Sequence, residues 1–351
     1  MADILNIDGS VGEGGGAILR LSAAFSFLFN RPIRIYNIRA NRPKPGLRTQ
    51  HLLGLQTLSK LTNSQLSECK VGSQEISFIP NRQITDKLEL NINTAASIGL
   101  LLQPLQVASL NFPKGNAIKI DMNGGGTYGK WAPSLAYLQE VSYRVFERAG
   151  LNIDLTIQKH GFYPKGGAKT KCLIRPPRDP LKPLILTELG NITSIQGKIV
   201  ITKRLKKDIA SRISNSIKNA LKRLIGGVEA NINIEWVESA SDGVGLDLWA
   251  ESDSGAIIST GTLLGEKGLS SEKLAQLAAK ELFKYIQNDI PVDNYLSDQL
   301  VPLMAYVNQT SKIKVLELTS HTKTNLELVN LFIHKSYSIN KEKKGYIIEF
   351  T

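Results

Sequence analysis

The chain has 351 residues, enough for one large or two ordinary domains with sizeable apolar cores. Hydrophobic residues make up 42% and charged residues 21% of the sequence, as in globular proteins, which excludes a disordered or membrane-spanning class. The 43 Lys and Arg residues outnumber the 31 Asp and Glu residues, giving a net charge of +12. Such a charge favours polyanionic partners such as nucleic acids or nucleotides, and it suits a general solubility charge equally well.

The cysteines and the start of the chain indicate in which cellular compartment the protein is located. Cys69 and Cys172 show no CxxC motif and no Cys/His spacing suited to a metal, which favours a reducing environment. The start MADILNID lacks the basic and apolar segments of a secretory signal, and the most apolar stretch, residues 98–110, is short and contains Gln and Pro. We therefore expect a cytoplasmic protein without membrane association.

The first half of the chain predicts the order βαβαββ twice. Apolar periodicity of 2 predicts strands, and a period near 3.6 predicts helices. The first pass comprises strands at 3–8 and 32–39, helices at 15–29 and 46–61, and short strands at 64–70 and 75–80. The second comprises strands at 88–93, 117–122, 152–158 and 170–176 and helices at 97–110 and 132–150.

A third pass begins with a strand at 183–189 and resumes only near Tyr295. It then continues with helices at 297–307 and 325–333 and strands at 312–318, 336–342 and 345–351. The intervening segment has its own strands at 197–205, 231–237, 245–251 and 256–262 and helices at 209–224 and 270–286. We predict an α/β (α+β) fold, with a large domain of three βαβαββ units at 1–189 and 289–351 and a small inserted α+β domain at 190–288. The basic run KRLKK in the insert fits a phosphodiester backbone or a solvated edge.

Four unusual loops follow predicted strands, at 8–16, 39–46, 123–133 and 319–325. Loops at the carboxyl ends of parallel strands gather on one edge, where ligands bind. The first loop, DGSVGEGGG, puts glycines before a helix, so that bare N–H groups can face an anion. It matches neither a Walker loop nor the dinucleotide fingerprint. Glu13 within it would repel phosphate unless a divalent cation lay between them, and a tight turn with a solvated Glu is the alternative.

The second loop, RANRPKPGLRTQH, concentrates positive charge. Arg39, Arg42, Lys44 and Arg48 lie within ten residues, and His51 follows closely. Arginine forks match phosphate oxygens bidentately, and prolines stiffen the loop that presents them. The pattern favours phosphate binding, with His51 either donating to phosphate or satisfied within the core.

Histidine 321 lies where a predicted strand ends and a helix opens, within SHTKTN. Its neighbours are hydroxyl and amide donors at the predicted ligand edge. Metal binding, acid/base catalysis and nucleophilic attack are all within the chemistry of a single imidazole. The spacing specifies no triad, so the residues alone leave the role open. The segment HGFYPKGGA at 160–168 fits a hairpin loop better than a phosphate-facing turn.

Seven motifs in one order carry a resemblance to a known family along nearly the whole chain. The chain resembles the RNA 3′-terminal phosphate cyclases. The matching segments are DGSVGEGGGAILR, IRANRPKPGLRTQH, the LLLQ run ending at Gln103, GGGTYGKWAP, HGFYPKGGA, YLSDQLV at 295–301, and SHTKTN.

This resemblance implies three repeats similar to the C-terminal domain of translation initiation factor three, with a smaller domain inserted in the third. It also implies an ATP-dependent ligase that converts an RNA 3′-phosphate into a 2′,3′-cyclic phosphate and releases AMP and diphosphate. The family's histidine becomes adenylylated, and an RNA–AMP anhydride follows. ATP, Mg²⁺ or Mn²⁺, and RNA with a 3′-phosphate end are the implied cofactors and partner. Homodimerisation through surface strands is left open.

The resemblance assigns roles position by position. His321 matches the nucleophile, and Glu13 matches the metal-binding carboxylate. The residues that match the terminal-phosphate site are Arg20, Arg39, Arg42, Gln50 and His51. The residues that match nucleotide contacts are Gln103, Tyr295, Leu296, Ser297, Asp298 and Gln299. For Asp298, capping of the helix that it opens is an equal alternative.

Two positions depart from the family pattern, and two rival functions follow from the fold. Ala17 stands where many members carry Gln, and Ala168 interrupts a run that is often all Gly.

A related branch of ribosome-biogenesis proteins keeps the fold but lacks the nucleophilic histidine. Because the chain has His321, the resemblance favours the enzyme over that RNA-binding branch. An enolpyruvyl transferase shares the repeated α/β units, but it would need other motifs.

Overall fold

The computed structural model describes residues 4–12, 14–115, 117–333 and 335–351. Helices alternate with four mixed four-stranded sheets in this part of the chain, which confirms the predicted α/β class. No helix that the structure describes combines the length and the apolar character needed to cross a bilayer.

The first sheet is formed at the start of the chain. It has the strand order β1-β2-β4-β3, with β1 and β2 parallel and β4 antiparallel to its neighbours. Its elements are β1 (Leu5–Asp8), α1 (Gly16–Phe29), β2 (Ile33–Tyr36), α2 (Thr49–Thr62), β3 (Gln65–Leu66) and β4 (Ile76–Ile79).

The second sheet has the same pattern, β5-β6-β8-β7, again with the first two strands parallel. The predicted helix at 132–150 is divided into two α-helical parts joined by a π-helical segment, so its axis continues with one locally widened turn. The elements are β5 (Lys87–Ser97), α3 (Ile98–Ser109), β6 (Ile118–Gly126), α4 (Leu135–Tyr137), the π segment (Leu138–Ser142), α5 (Tyr143–Ala149), β7 (Asn152–Lys159) and β8 (Lys169–Arg175).

After the short strand β9 (Ile185–Leu186) the chain builds a separate sheet. Its order is β11-β10-β12-β13, and the helices α6 and α7 pack together on it with their apolar faces inward. The elements are β10 (Ile192–Thr202), α6 (Asp208–Leu224), β11 (Ala230–Val237), β12 (Val244–Ser252), β13 (Ile257–Leu264) and α7 (Ser271–Gln287).

The chain then returns to β9. The last strands complete a sheet of order β15-β16-β14-β9, in which β14 runs parallel to β9 and β16 runs antiparallel to β14. The elements are α8 (Asn294–Tyr306), β14 (Ser311–Val315), α9 (Ser320–Phe332), β15 (Tyr337–Lys341) and β16 (Tyr346–Phe350).

Two large apolar clusters hold these sheets together. One joins the helices and strands of the first, second and last sheets, and α1 and α3 are packed at its centre. The other lies within residues 189–290, between the β10–β13 sheet and helices α6 and α7. The molecule therefore has two cores, and polar groups lie where they meet.

Two fully buried carboxylates connect the segment 190–288 to the rest of the chain. Asp247 on β12 accepts hydrogen bonds from Tyr128 Oη at 2.9 Å and Ser134 Oγ at 2.7 Å, both outside that segment. Asp293 accepts from Tyr137 Oη at 3.1 Å and from the backbone N–H of Ser259 on β13 at 3.0 Å. Burial raises the pKa of Asp247 to about 6 and that of Asp293 to about 7.

The HGFYPKGGA segment is the loop between the antiparallel strands β7 and β8, as the hairpin interpretation predicted. Phe162 stacks on Tyr128 with ring centroids 5.5 Å apart. The ring of Phe162 also lies so close to Gly243 that a Cβ atom there would be 2.2 Å from it. This loop thus contributes to the contact between the two cores.

Removing the hydroxyl of Tyr128 should destabilise the protein. The substitution Tyr128→Phe deletes a donor to the buried carboxylate of Asp247, a loss of about 1–3 kcal/mol. The loss should be larger at about pH 8 than at about pH 5, because Asp247 ionises as the pH rises through its raised pKa. Urea unfolding at the two pH values measures it.

Tyr143→Phe is the matched control for this substitution. Tyr143 is also buried, but its hydroxyl has no hydrogen-bond partner within the described residues. Its removal should therefore leave the free energy of unfolding unchanged or raise it. Equal losses in both variants would contradict the role given to Asp247.

Candidate active site

The amino end of α1 is lined by glycine and faces two basic side chains. Gly15 precedes the helix and caps it without a side-chain hydrogen bond. A Cβ atom at Gly16 would lie 2.3 Å from Nε2 of His51 and 2.8 Å from a terminal nitrogen of Arg20. Only glycine leaves room for this approach, so the first turn of α1 meets an imidazole and a guanidinium directly.

The imidazole of His51 is held in a neutral form. Its Nδ1 accepts a hydrogen bond from the backbone N–H of Arg48 at 3.2 Å, which leaves the proton on Nε2, the nitrogen that faces Gly16. Burial and the nearby Arg20, Arg39 and Arg48 lower the pKa of His51 to about 3. His51 can therefore donate one hydrogen bond to an anion. Gln50, the preceding residue of α2, is half-buried.

Arg39 is presented by an unusual backbone conformation. Its φ of 57° lies in the left-handed region, which is uncommon for a non-glycine residue. Its buried Nε has no hydrogen-bond partner among the described residues. Partial burial, followed by Arg42 and Arg48, lowers its pKa. A guanidinium nitrogen of Arg42 would lie 3.6 Å from a Cβ atom at Gly15.

These groups form one cluster, which we call the arginine cluster: Arg20, Arg39, Arg42 and Arg48, together with the neutral His51. Burial alone lowers the pKa of Arg20, whereas burial and neighbouring guanidinium charges together lower the pKa of Arg39 and of His51, so charge repulsion acts within the cluster. An anion bound between them and the amino end of α1 would relieve that repulsion and pair the buried donors.

Helix α3 connects this cluster to α8. Nε of Arg20 donates to Oε1 of Gln103 at 3.0 Å, and burial lowers the pKa of Arg20 to about 10. One turn along α3, Nε2 of Gln106 donates to Oε1 of Gln299 at 3.3 Å. Gln103 and Gln299, both predicted nucleotide contacts, thus belong to one polar path across three helices. Gln106 was not predicted, because a buried Gln within an apolar helix gives no distinctive pattern.

His321 lies in the first turn of α9, not in a loop before it. The predicted helix began near Asn325, whereas α9 begins at Ser320 because the side chain of Thr319 accepts a hydrogen bond from Thr322 N–H at 2.9 Å. His321 is exposed. Its imidazole is therefore held at the positive end of a helix, where an anion is stabilised.

Asp298 organises this end of α9. Its Oδ1 accepts hydrogen bonds from the hydroxyls of Thr319 at 2.7 Å and Thr322 at 2.6 Å, and its carbonyl accepts from Nδ2 of Asn325 at 2.7 Å. The alternative that Asp298 caps α8 is wrong: Asp293 does so, accepting from Tyr295 N–H and from the next residue. Asp293 was missed, although an Asp just before a helical pattern is a start signal.

We call the loop before α1, residues 8–12 and 14–16 of the described chain, the glycine loop. It connects α9, the helix of His321, to the arginine cluster. A Cβ atom at Gly12 would lie 2.5 Å from Oγ1 of Thr324 on α9, and Gly12 has a φ of 64°. The same loop ends at Gly15 and Gly16, beside His51 and Arg42. The loop therefore contacts the amino-terminal part of α9 at one point and the arginine cluster at another.

The predicted nucleotide segment 295–299 divides between surface and core. Tyr295 is half-exposed, and its ring covers Gly261 of β13. Leu296 and Ser297 are fully buried, and the Ser297 hydroxyl contacts that of Thr322 at 3.1 Å. The ring of Tyr295 is therefore accessible to a ligand, whereas Leu296 and Ser297 pack beneath the first turn of α9.

The predicted metal ligand Glu13 lies outside the described residues. Within residues 4–12, 14–115, 117–333 and 335–351, no three His, Cys, Asp or Glu side chains come close enough together to hold a metal ion. Asp298 uses Oδ1 to accept from two threonine hydroxyls.

Of the two departures from the family pattern, Ala168 lies outside the left-handed region, so a methyl group is tolerated there. For Ala17, half-buried in the first turn of α1, the structure offers no further account.

The electrostatics of His51 can be followed by its pH titration. In the free protein its imidazole should not titrate between about pH 5 and 8, because its pKa is lowered to about 3. Inorganic phosphate should raise that pKa by offsetting the guanidinium charges. The imidazole signals in an NMR titration report this, with His51→Gln identifying the resonance.

The lowered pKa of His51 also makes the stability of the folded protein depend on pH. An unfolded histidine takes up a proton near pH 6.5, whereas folded His51 stays neutral, so acidification below 6.5 destabilises the native state through this residue. A free-protein His51 signal that titrates near 6.5, or one that phosphate does not move, would contradict the proposed cluster.

Comparison with known proteins identifies the family of the chain. The sequence model of the RNA 3′-terminal phosphate cyclases matches residues 11–339. The RNA 3′-terminal phosphate cyclase of Pyrococcus abyssi is 38% identical over 339 residues, covering 97% of this chain and 96% of its own length. That of Thermococcus onnurineus is 37% identical and covers 96% of this chain and 95% of its own. That of Methanothermobacter thermautotrophicus is 35% identical, with 97% of both chains covered.

The match extends across every element that builds the site, from the glycine loop before α1 to the first turn of α9. It confirms the recognition and the enzyme assignment made from the sequence motifs: the chain belongs to the RNA 3′-terminal phosphate cyclase family.

Proposed function

We propose that this protein uses ATP to convert an RNA 3′-terminal phosphate into a 2′,3′-cyclic phosphate, through an adenylyl-His321 and an RNA–adenylate anhydride. One observation carries the proposal: an exposed histidine at the amino end of α9 is joined by the glycine loop to the arginine cluster. The names of the relatives at 35–38% identity support the overall activity.

In the first step, a ring nitrogen of His321 attacks the α-phosphorus of ATP. A P–N bond forms, the bond to the bridging oxygen breaks, and diphosphate leaves. The backbone N–H groups in the first turn of α9 face the charge that develops on the transferred phosphoryl group. Asp298, by holding Thr319 and Thr322, fixes this turn so that the imidazole needs little reorientation.

In the second step, an oxygen of the RNA 3′-phosphate attacks the adenylyl phosphorus. The P–N bond breaks, and His321 is released as the anhydride forms. The arginine cluster supplies what this acceptor needs: the buried and unpaired Nε of Arg39, the guanidinium of Arg42 near Gly15, and the Nε2–H of neutral His51. These donors position the 3′-phosphate beside the helix that carries His321.

In the last step, the 2′-hydroxyl of the same ribose attacks the 3′-phosphorus. The bond to AMP breaks, AMP leaves, and the hydroxyl proton passes to solvent. This step requires RNA, because DNA has no 2′-hydroxyl. An RNA end in 2′-deoxy form should therefore stop at the anhydride.

For the nucleotide subsite we propose that Tyr295, Gln103 and Gln299 contact ATP. Tyr295 offers a half-exposed ring, and the two glutamines lie on the polar path between α1 and α8. Leu296 and Ser297 act as positioning residues from their buried places. Magnesium or manganese remains a prediction that rests on Glu13; an ion held by one carboxylate and the phosphates of ATP would help neutralise those phosphates.

We also propose the finer domain arrangement. Three sheets share the order of parallel first and second strands, followed by an antiparallel pair, which supports three βαβαββ repeats at 1–189 and 289–351. A separate apolar core within residues 189–290 supports an inserted domain at 190–288. Cytoplasmic location and dimerisation remain predictions without a structural argument.

The rival function is an RNA-binding protein without catalysis. That branch lacks the nucleophilic histidine, whereas this chain has His321 in an exposed, rigidly capped turn. The two functions therefore differ in whether AMP becomes attached to the protein.

His321→Ala should abolish both the attachment of AMP and the formation of cyclic phosphate ends. The exposed side chain contributes little to packing, so the unfolding midpoint should stay within the small range of surface substitutions. The assay incubates purified protein with ATP labelled on the α-phosphate and an RNA bearing a 3′-phosphate, and follows protein label and RNA ends separately.

Glu327→Ala is the matched control, because Glu327 is exposed on the same helix and away from its first turn. It should retain both activities. A His321→Ala protein that still takes up label and forms cyclic ends would overturn the mechanism, and a wild-type protein that does neither would favour the binding function.

A further inference from the structure

Trp131 is exposed to an unusual degree. It lies in the loop between β6 and α4 with 90% of its surface accessible, the highest value among the exposed large hydrophobic residues that the structure describes. Aromatic side chains normally contribute most of their free energy through burial. The fold gains almost nothing from this indole, so its position calls for a ligand.

The backbone of Trp131 is strained as well. Its φ of 58° lies in the left-handed region, where a bulky residue is a genuine outlier. Such strain persists only when the surroundings enforce it, and it is concentrated at ligand sites. The conformation turns the indole outward, away from the core beneath it.

Two contacts hold the loop in place just after Trp131. A Cβ atom at Gly99 of α3 would lie 2.3 Å from the carbonyl oxygen of Pro133, so the loop packs against the amino end of α3. The backbone N–H of Ser134 donates to Oγ1 of Thr262 on β13 at 2.8 Å. The indole is therefore presented from a fixed platform and not from a mobile tip.

This platform lies beside the proposed active site. From Gly99, Gln103 is about one helical turn along α3, roughly 6 Å, and Gln103 accepts the hydrogen bond of Arg20 in the arginine cluster. On the other side, β13 carries Gly261, which the ring of Tyr295 covers, next to Thr262. The loop of Trp131 thus contacts the elements that carry Gln103 and Tyr295, which are proposed to contact ATP, and Gln103 in turn binds Arg20 of the arginine cluster.

A cation accompanies the indole. Nζ of Lys130 lies 5.2 Å from the ring centroid of Trp131 and 2.9 Å from Oε1 of Glu266. Both partners of this ion pair are exposed, so the pair adds little stability and the ammonium can turn to a phosphate. An exposed aromatic face beside a cation, in a protein of net charge +12, is the combination that binds single-stranded nucleic acid.

We propose that Trp131 stacks on a base of the RNA strand upstream of the 3′-terminal nucleotide, while Lys130 contacts the adjoining phosphate. The inference rests on the proposed function, because it takes RNA as the substrate. Trp131 and Lys130 would bind single-stranded RNA of any sequence, because every base has a π face on which the indole can stack. This contact would distinguish a polynucleotide end from a free nucleoside 3′-phosphate.

Trp131→Ala tests this through binding alone, without ATP. The dissociation constant of a 3′-phosphorylated single-stranded oligoribonucleotide should rise roughly 5- to 150-fold, the value of one stacked base. Trp131→Phe should recover part of the affinity. Binding of uridine 3′-monophosphate should not change, and neither should the rate of AMP attachment from ATP.

The control is Leu277→Ala, which removes an exposed apolar side chain from α7 without touching the loop. Fluorescence gives a second readout: the oligoribonucleotide should quench the indole of the wild type, and Trp131→Ala should lose that quenching. The chain has three tryptophans, and the other two, Trp236 and Trp249, are half-buried and buried.

Unchanged oligonucleotide affinity in Trp131→Ala would overturn the inference. A slower AMP attachment would instead assign the indole to the adenine of ATP, and a change in sedimentation would assign it to a second copy of this chain. A protein that binds RNA through Trp131 but forms no cyclic ends would retain this inference and reject the proposed function. Cyclisation with unchanged RNA affinity would do the reverse.

Discussion

The site is organised by several arginine side chains that lie close together beside the amino end of α1. Arg20 and Arg42 lie beside the amino end of α1, and burial, followed by the charges of Arg20, Arg39 and Arg48, keeps His51 neutral. Such a cluster is costly without an anion, because like charges repel and the buried Nε of Arg39 has no partner among the described residues. The fold maintains it through glycine at the start of α1 and the left-handed backbone of Arg39. We propose that bound phosphate is what makes this arrangement favourable.

A second constraint fixes His321, the proposed nucleophile. Asp298 on α8 accepts from two hydroxyls of α9, so the start of α9 and the position of His321 depend on the neighbouring helix. The buried Asp293 caps α8 and also binds Ser259 of β13. The segment 190–288 is therefore connected to the histidine through a short series of buried polar contacts, and it contributes the surface beneath Tyr295. This is the structural reason to regard that segment as part of the site.

The sequence predicted the α/β class, most elements and the gathering of loops at one edge, because apolar periodicity and strand-to-helix connections are local properties. It placed the start of α9 too late, since Thr319 acts as a cap that the apolar pattern does not reveal. It also missed Asp293, although a helix start signal was present, and Gln106, whose partner Gln299 lies far along the chain. The outward turn of Trp131 depends on Gly99 and Thr262, which no pattern around residue 131 specifies.

We propose that the imidazole of His321, at the start of α9, receives AMP from ATP. Peptide mass spectrometry after incubation with ATP tests it most directly, at neutral or alkaline pH to preserve an acid-labile P–N bond. Trypsin should release the peptide VLELTSHTK, residues 315–323, in which His321 is the one histidine. The account predicts an added AMP group on this peptide, assigned by fragmentation to His321. An AMP group on another peptide, or on Lys323 or a hydroxyl of this one, would contradict it.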